Sequence, residues 1–542
     1  MTGAGWRETA RRRLAGEEFD LLVVGGGATG AAIARDAATR GLRVALCERG
    51  DFASQTSSQS SKLIHGGLRY LQHGDLHLVF EALAERRRLL DTAPHLCRPR
   101  EFLYPAYTGR FPSLRMLSVG VGLYDALALW QSPGRSCRLE SHEVHRLVPW
   151  LRSAGMQGAQ QYFDCWTDDA RLVLENLLDA VTAGAVVISQ VEIQPDHRRW
   201  GSLRVAQATD RDSGDQFEIR ARLLVNATGP FCDSFSGGPR RLRPTLGVHL
   251  VVDGDRVPTF GRAVVVHSPR DGRLLFVLPA GRRTIVGTTE TDWIGAGVPP
   301  RPEDEIRAHR SDVEYLLETV NHAFPPADLK PSDVISTFAG LRPLLDGGLA
   351  NQGAASREHA IWADARGWLH VAGGKLTTMR SMGEEAVDRA IAILHERGLE
   401  AALRPCQTRT RALPGAGKVD LGSFALAPDI AAHLGETYGA RVDQVLALVA
   451  ADASLGRQLD AELPYIAAEI PFAIRSDLAC EVEDVLRRRV PLALFSKTHG
   501  LDVAEETATL LARDRGWSVE RRARSLAAYR AAIATSRLWQ TD

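Results

Sequence analysis

The sequence predicts an α/β nucleotide-binding region at the start, a β-rich mixed region after it, and an all-helical C-terminal region. Three observations predict this. An apolar run at 21–24 meets Gly25-x-Gly27-x-x-Gly30, then a small-residue segment and a second apolar run that ends on Glu48. Between 236 and 360, short segments alternate in the two-residue period of half-buried strands. Beyond about Ile430, Val442, Val445, Leu446 and Val449 recur at helical spacing, as do Val482, Val485 and Leu486.

Residues 1–18 form a basic leader. Arg7, Arg11, Arg12 and Arg13 stand there without the apolar stretch of a signal peptide. With Trp6 and Leu14 the leader is open to two readings, a short basic helix on an anionic surface or a solvated arm. The run 21–24 is a buried strand. Gly25 permits the tight turn after it, Gly27 admits close approach of a pyrophosphate, and Gly30 allows close helix–strand packing. The helix over 31–39 opens behind Ala28 and Thr29, where free N–H groups point at phosphate oxygens. Glu48 lies 18 residues beyond Gly30, at the end of the strand 44–46, where a carboxylate takes ribose hydroxyls. The fingerprint does not choose between NAD and FAD.

Further strands of this region are expected at 185–189, 223–226 and 368–372. Those of the mixed region fall at 249–252, 263–267, 274–278 and 284–287. A linker rich in Arg, Pro and Gly follows near 398–420.

At 542 residues the chain is too long for one core, and two or three domains are expected. Hydrophobic content of 44% and charged content of 24% are those of an ordinary soluble protein. Lys plus Arg (66) equals Asp plus Glu (66), so nothing argues for a nucleic-acid partner. Seven scattered cysteines with no CxxC pair argue against a disulfide framework, a zinc site or an iron–sulfur cluster, and for reduced thiols in the cytoplasm. The weakly charged run 116–130 is broken by Asp125 and too short to span a bilayer, though the chain could rest on one.

The stretch Thr56-Ser57-Ser58-Gln59-Ser60-Ser61-Lys62-Leu63-Ile64-His65-Gly66-Gly67-Leu68-Arg69-Tyr70 is followed in order by several others. They are Asp164-Cys165-Trp166-Thr167-Asp168-Asp169-Ala170-Arg171, Val225-Asn226-Ala227-Thr228-Gly229, Gly287-Thr288-Thr289, Gly340-Leu341-Arg342-Pro343 and Gly373-Gly374-Lys375-Leu376-Thr377-Thr378. Together they resemble the FAD-dependent sn-glycerol-3-phosphate dehydrogenases of the respiratory, aerobic type. The resemblance implies an α/β plus α+β protein: a Rossmann-like FAD-binding domain interleaved with a mixed antiparallel-sheet substrate domain, followed by an all-α C-terminal domain. The implied division gives 19–95, 161–235 and 361–397 to the FAD-binding domain, and 96–160 and 236–360 to the substrate domain. After the linker, 421–542 form the helical domain.

FAD is the implied cofactor. Its diphosphate and ring would lie along Thr56, Ser57, Ser58, Ser61, Lys62, Leu63, His65, Gly66 and Gly67. Ala227, Thr228 and Gly229 would close against it, and Gly373, Gly374, Lys375, Leu376 and Thr377 would aim a helix N-terminus at the flavin ring. The family's phosphate-site arginines map onto Arg69 and Arg357, with Tyr70 and Lys375 also on the substrate side. Arg342 and His249 map beside the reacting hydroxyl, His249 as base and Arg342 as stabiliser of the developing alkoxide. The acidic motif at 164–171 lacks a histidine partner; it is assigned to structure or to the substrate domain, and no metal is expected.

The implied reaction is oxidation of glycerol 3-phosphate to dihydroxyacetone phosphate, with membrane quinone as electron acceptor. The implied setting is cytoplasmic and peripheral on the inner face of the cell membrane, and a homodimer is the family expectation. A glycerol-3-phosphate oxidase making hydrogen peroxide and a non-catalytic flavin-binding module are the alternatives.

Overall fold

The computed structural model describes residues 5–542 apart from 69, 70, 72–74, 130, 195–197, 294–298, 302, 303, 347–357, 420, 422, 423, 425 and the side chains of 199 and 200. Arg69, Tyr70 and Arg357 therefore lie outside the described residues.

Two large sheets organise the chain. In the first, the parallel strands Leu369–Gly373, Gln216–Asn226, Glu18–Val24, Val44–Cys47 and Val186–Ile188 stand in that spatial order. His359–Ala363 adds an antiparallel edge, and Leu203–Asp210 pairs antiparallel with Gln216–Asn226. The central strands are buried on both faces, which accounts for their unbroken apolar runs. Ala28–Arg40, Asp169–Thr182 and Met379–Glu396 cover this sheet, with Gly383 packed directly against Ala32.

Among the described residues the second sheet has ten strands, including Arg98–Tyr107, Met156–Trp166, Thr245–Asp253, Ala263–His267, Leu274–Ala280, Arg283–Gly287 and Val334–Arg342. All its pairs are antiparallel except Ala263–His267 with Arg98–Tyr107. Met156–Trp166 pairs with Arg98–Tyr107 along its length, and Leu63–Ile64 joins its far end. A division at residue 161 would cut through this strand, because backbone pairing carries the second sheet on to Trp166.

From Pro428 onward the chain is helical, with one short hairpin, Gln458–Asp460 against Leu463–Ile466. This region is pinned to both sheets. Arg488 and Arg489 pair with buried Asp51 beside the nucleotide-binding loop. Trp539, near the C-terminus, sits in the core of the second sheet.

The leader is a helix, Trp6–Gly16, and its placement corrects one expectation. Trp6, Ala10 and Leu14 are buried in the core under the first sheet, and Arg7 pairs with Asp210 at 2.8 Å. Its apolar side is already covered by protein, so it has none to offer a lipid surface.

Candidate active site

The ends of the parallel strands and the inner face of the second sheet enclose a cavity of about 1070 Å³, whose wall includes both Glu48 and Lys375. One end is built from backbone. Gly25 has φ 109°, and a Cβ on it would sit 2.6 Å from the carbonyl oxygen of Ala227, so two small-residue turns meet there. Asn226 holds the second turn by accepting from the Thr228 amide (3.1 Å) and hydroxyl (2.7 Å). A Cβ on Gly30 would collide with the Gly25 carbonyl, so Gly30 lets the helix Ala28–Arg40 close on the strand before it. Glu48 accepts from the amides of Gly26 and Gly50, each at 2.7 Å. Burial raises its pKa above the usual carboxylate value, and these amides oppose the rise. Each oxygen keeps a second lone pair for a ribose hydroxyl. Ser57 accepts from the Ala28 amide at 2.9 Å.

The other end is built from side chains. His249 is at the middle of Thr245–Asp253, paired across to Gly287 on one side and Phe338 on the other. Its ring stacks on Phe338 at 4.5 Å, and its Nε2 is 2.8 Å from the Ser61 hydroxyl. Burial pushes the imidazole well below its ordinary pKa, with Arg342 and Lys62 adding to the effect. The ring is therefore neutral near pH 7. Arg342 ends the adjacent strand, donates to Thr288 Oγ1 at 3.0 Å and to the Thr289 carbonyl at 3.3 Å, and lies 3.5 Å from the Glu290 carboxylate. Thr56 Oγ1 donates to the Leu341 carbonyl at 2.6 Å, joining the serine-rich loop to that strand.

The cavity wall includes most of the expected cofactor and substrate residues: Gly25, Gly27, Ala28, Thr29, Glu48, Thr56, Ser57, Ser61, Leu63, His65, Gly67, Ala227, Thr228, Gly229, His249, Arg342, Gly373, Gly374, Lys375, Leu376 and Thr377. His65 and Thr377 are tied by two contacts, amide to hydroxyl at 3.1 Å and hydroxyl to carbonyl at 3.2 Å. Lys375 precedes the helical turn Leu376–Thr378, which runs into Met379–Glu396.

Four expected residues stand behind the wall: Gly30, Ser58, Lys62 and Gly66. Lys62 is drawn away by an ion pair to buried Asp169 at 2.6 Å. Gly66 is pressed against Leu83 and donates its amide to the Tyr124 hydroxyl at 2.8 Å.

Sequence reasoning did not single out Glu290, Arg273, Tyr104 or Tyr162, all in the wall. Glu290 directly follows Gly287-Thr288-Thr289, and that adjacency was the available signal. The acidic motif is largely buried and held by internal ion pairs, with Asp164 also reaching the cavity wall. Asp164 takes the Tyr124 hydroxyl at 2.7 Å and pairs with Arg86. Asp168 caps the helix Asp169–Thr182, and Arg171 pairs with Asp477 of the helical region.

A backbone cradle, a carboxylate at a strand terminus and two helix N-termini around one cavity fit a dinucleotide carrying a redox ring. The sequence model of the family described as FAD dependent oxidoreductase matches residues 20–389, and that of the C-terminal domain of alpha-glycerophosphate oxidase matches 406–522. The class is thus an FAD-dependent oxidoreductase, with FAD as cofactor.

Glycerol-3-phosphate dehydrogenase 2 of Mycobacterium tuberculosis is 35% identical, with 100% of this chain and 92% of the relative covered. The aerobic glycerol-3-phosphate dehydrogenase of Staphylococcus aureus is 32% identical, covering 93% and 92%. The solved glycerol-3-phosphate dehydrogenase of Bacillus halodurans, complexed with FAD, superposes with a TM-score of 0.79 at 27% identity, covering 99% and 98%. An L-alpha-glycerophosphate oxidase from Mycoplasma pneumoniae shares the fold, with a TM-score of 0.56 at 17% identity over 73% of this chain and 99% of that one. The chain belongs to the FAD-dependent glycerol-3-phosphate dehydrogenase family.

Proposed function

We propose that this protein oxidises sn-glycerol 3-phosphate to dihydroxyacetone phosphate and passes the electrons to a quinone. FAD, when bound, would supply the two-electron acceptor for the oxidation at substrate C2. The observation that carries the reading is the meeting of a neutral, buried His249 with Arg342 at the side-chain end of the cavity. A neutral imidazole accepts the C2 hydroxyl proton as the hydride departs. Arg342, held by Thr288 and Glu290, stabilises the negative charge growing on that oxygen. Lys375 provides a cation on the same wall for the substrate phosphate, and the family resemblance adds Arg69, Tyr70 and Arg357.

Anaerobic mixing of the FAD-loaded protein with glycerol 3-phosphate tests the reading. Bleaching near 450 nm is expected, followed by fast reoxidation with a short-chain quinone and slow reoxidation in air. Fast reoxidation in air with peroxide would make the protein an oxidase, and no bleaching would remove the substrate assignment.

A quinone acceptor implies a lipid surface, and one helix supports such contact. Among the described residues no helix is long and apolar enough to cross a membrane. Leu114–Leu127, however, is apolar on both sides: Leu117, Val121 and Tyr124 face the core, while Met116, Val119 and Leu123 are exposed, Val119 by 73%. Phe111 and Leu129 extend this face, and exposed Leu76 and Phe80 stand on the neighbouring helix Leu76–Thr92. From 102 to 139 the sequence holds four arginines (110, 115, 135 and 138) and one acid, Asp125, which is buried on Ser132 and Ser136. An apolar face flanked in sequence by arginines fits an anionic bilayer. Met116→Glu/Val119→Glu is expected to lose sedimentation with anionic vesicles while keeping activity toward a soluble dye; vesicle binding equal to the parent would exclude this face.

A further inference from the structure

The turn that carries Ser61 is held from behind. Asp169, fully buried at the start of Asp169–Thr182, accepts from the Ser60 amide (3.1 Å) and hydroxyl (2.7 Å) through one oxygen. Its other oxygen takes Lys62 Nζ at 2.6 Å. Lys62 has φ 56°, a left-handed conformation that a residue with a side chain adopts at a cost. Its amide donates to Ser60 Oγ at 3.0 Å, and its carbonyl accepts from Thr167 at 2.9 Å. One carboxylate thus grips the residues on either side of Ser61, whose hydroxyl meets His249 Nε2. The other ring nitrogen, Nδ1, is buried with no hydrogen-bond partner among the described residues.

We propose that Asp169 is a positioning residue for the oxidation: by clamping Ser60 and Lys62 it holds Ser61 against His249 and keeps the lysine's charge compensated beside the base. The proposal rests on the reading of His249 as that base. Two cations act on the imidazole through space, Arg342 from the neighbouring strand and Lys62 from behind the turn, where it is paired with Asp169. Asp164, Arg273, Glu290 and Lys375 line the same cavity, and Asp168 lies near Lys62. A proton arriving on buried His249 adds a positive charge near Arg342 and Lys62, and an uncompensated Lys62 would oppose it. Burial alone would lower the Lys62 pKa, but Asp169 and Asp168 raise it above the ordinary value, so it stays charged where His249 titrates.

The test is Asp169→Asn in the FAD-loaded enzyme, read as the limiting rate of flavin reduction against pH at saturating substrate. Saturation removes the titration of free substrate phosphate from the profile. A histidine that must be neutral gives a rate that falls on the acid side. In Asp169→Asn only Asp168 is left to hold the Lys62 proton against burial; with the lysine still charged, the limb is expected to move toward lower pH by about one unit, because the unscreened Lys62 disfavours protonation of His249. The plateau is expected to fall by about tenfold.

Lys62→Met/Asp169→Asn removes the lysine charge and should carry the limb back. Asp169→Glu keeps the charge on a longer arm, so it should leave the limb in place while lowering the rate. An unmoved limb together with a parental plateau rate in Asp169→Asn, or a parental rate in Asp169→Glu, overturns the proposal. His249→Asn separates this failure from that of the underlying reading: if the parental limb persists without His249, the base assignment is what falls.

Discussion

The two ends of the cavity are made of different material. The nucleotide end is backbone: Gly25 against Ala227, Gly30 against Gly25, and amides of Gly26 and Gly50 on Glu48. The reacting end is side chain: Ser61, His249 and Arg342 come from three separate stretches and meet among buried charges, with Lys375 in the wall of the same cavity. A close-packed backbone has no room for an added methyl, so the first end fails by losing its cofactor. Preorganised polar groups fail by losing rate, with the cofactor still in place.

Gly30→Val pushes hardest on this contrast. Its Cβ would collide with the Gly25 carbonyl, which no rotamer change relieves. FAD per chain, read from the ratio of absorbance at 450 and 280 nm, is expected to fall at least about tenfold, and all activity with it. Full FAD content in this variant would mean that the turn is softer than the geometry indicates.

His249→Asn should act at the other end alone. It is expected to keep FAD and to slow flavin reduction by glycerol 3-phosphate about 10²–10⁴-fold, the usual worth of a general base. Loss of FAD in this variant would erase the distinction between the two ends.

The same contrast governs what could be read from the sequence. The strand, glycines, helix and acid at 21–48 are contiguous, and each glycine answers a local geometric demand, so this end was legible residue by residue. The strands at 263–267 and 274–278 were legible as short apolar runs rather than from strict alternation, and the helical region from its period. His249 lies in a strand of Leu and Val, and a histidine there reads as core; it is indeed buried and stacked on Phe338. Only resemblance marked it as chemical. Asp169 and Lys62 are 107 residues apart, and no local period links them. The leader shows a different limit. Trp6, Ala10 and Leu14 form the same helical stripe whether the stripe meets lipid or protein, and burial under the first sheet decided it. Leu114–Leu127 was visible as a weakly charged run, but its unpartnered outer face depends on how the helix lies on the second sheet.

Ser61→Ala should give the smallest change. The hydroxyl makes one hydrogen bond to His249, and losing such a bond costs about 0.5–1.5 kcal/mol, so flavin reduction should slow by roughly tenfold or less. FAD content and thermal stability should stay near the parent's, because the loop remains anchored through Thr56 to Leu341 and through Ser60 to Asp169. The double variant with Asp169→Asn then separates two routes. If Asp169 acts on His249 only through the position of Ser61, removing the hydroxyl first leaves Asp169→Asn nothing further to cost in plateau rate, and the two effects will not add. If it acts through the charge of Lys62, the shift of the acid limb survives in Ser61→Ala/Asp169→Asn at its full size. Geometry and charge reach the same imidazole from one carboxylate, and this pair of readings, plateau rate and limb position, tells them apart.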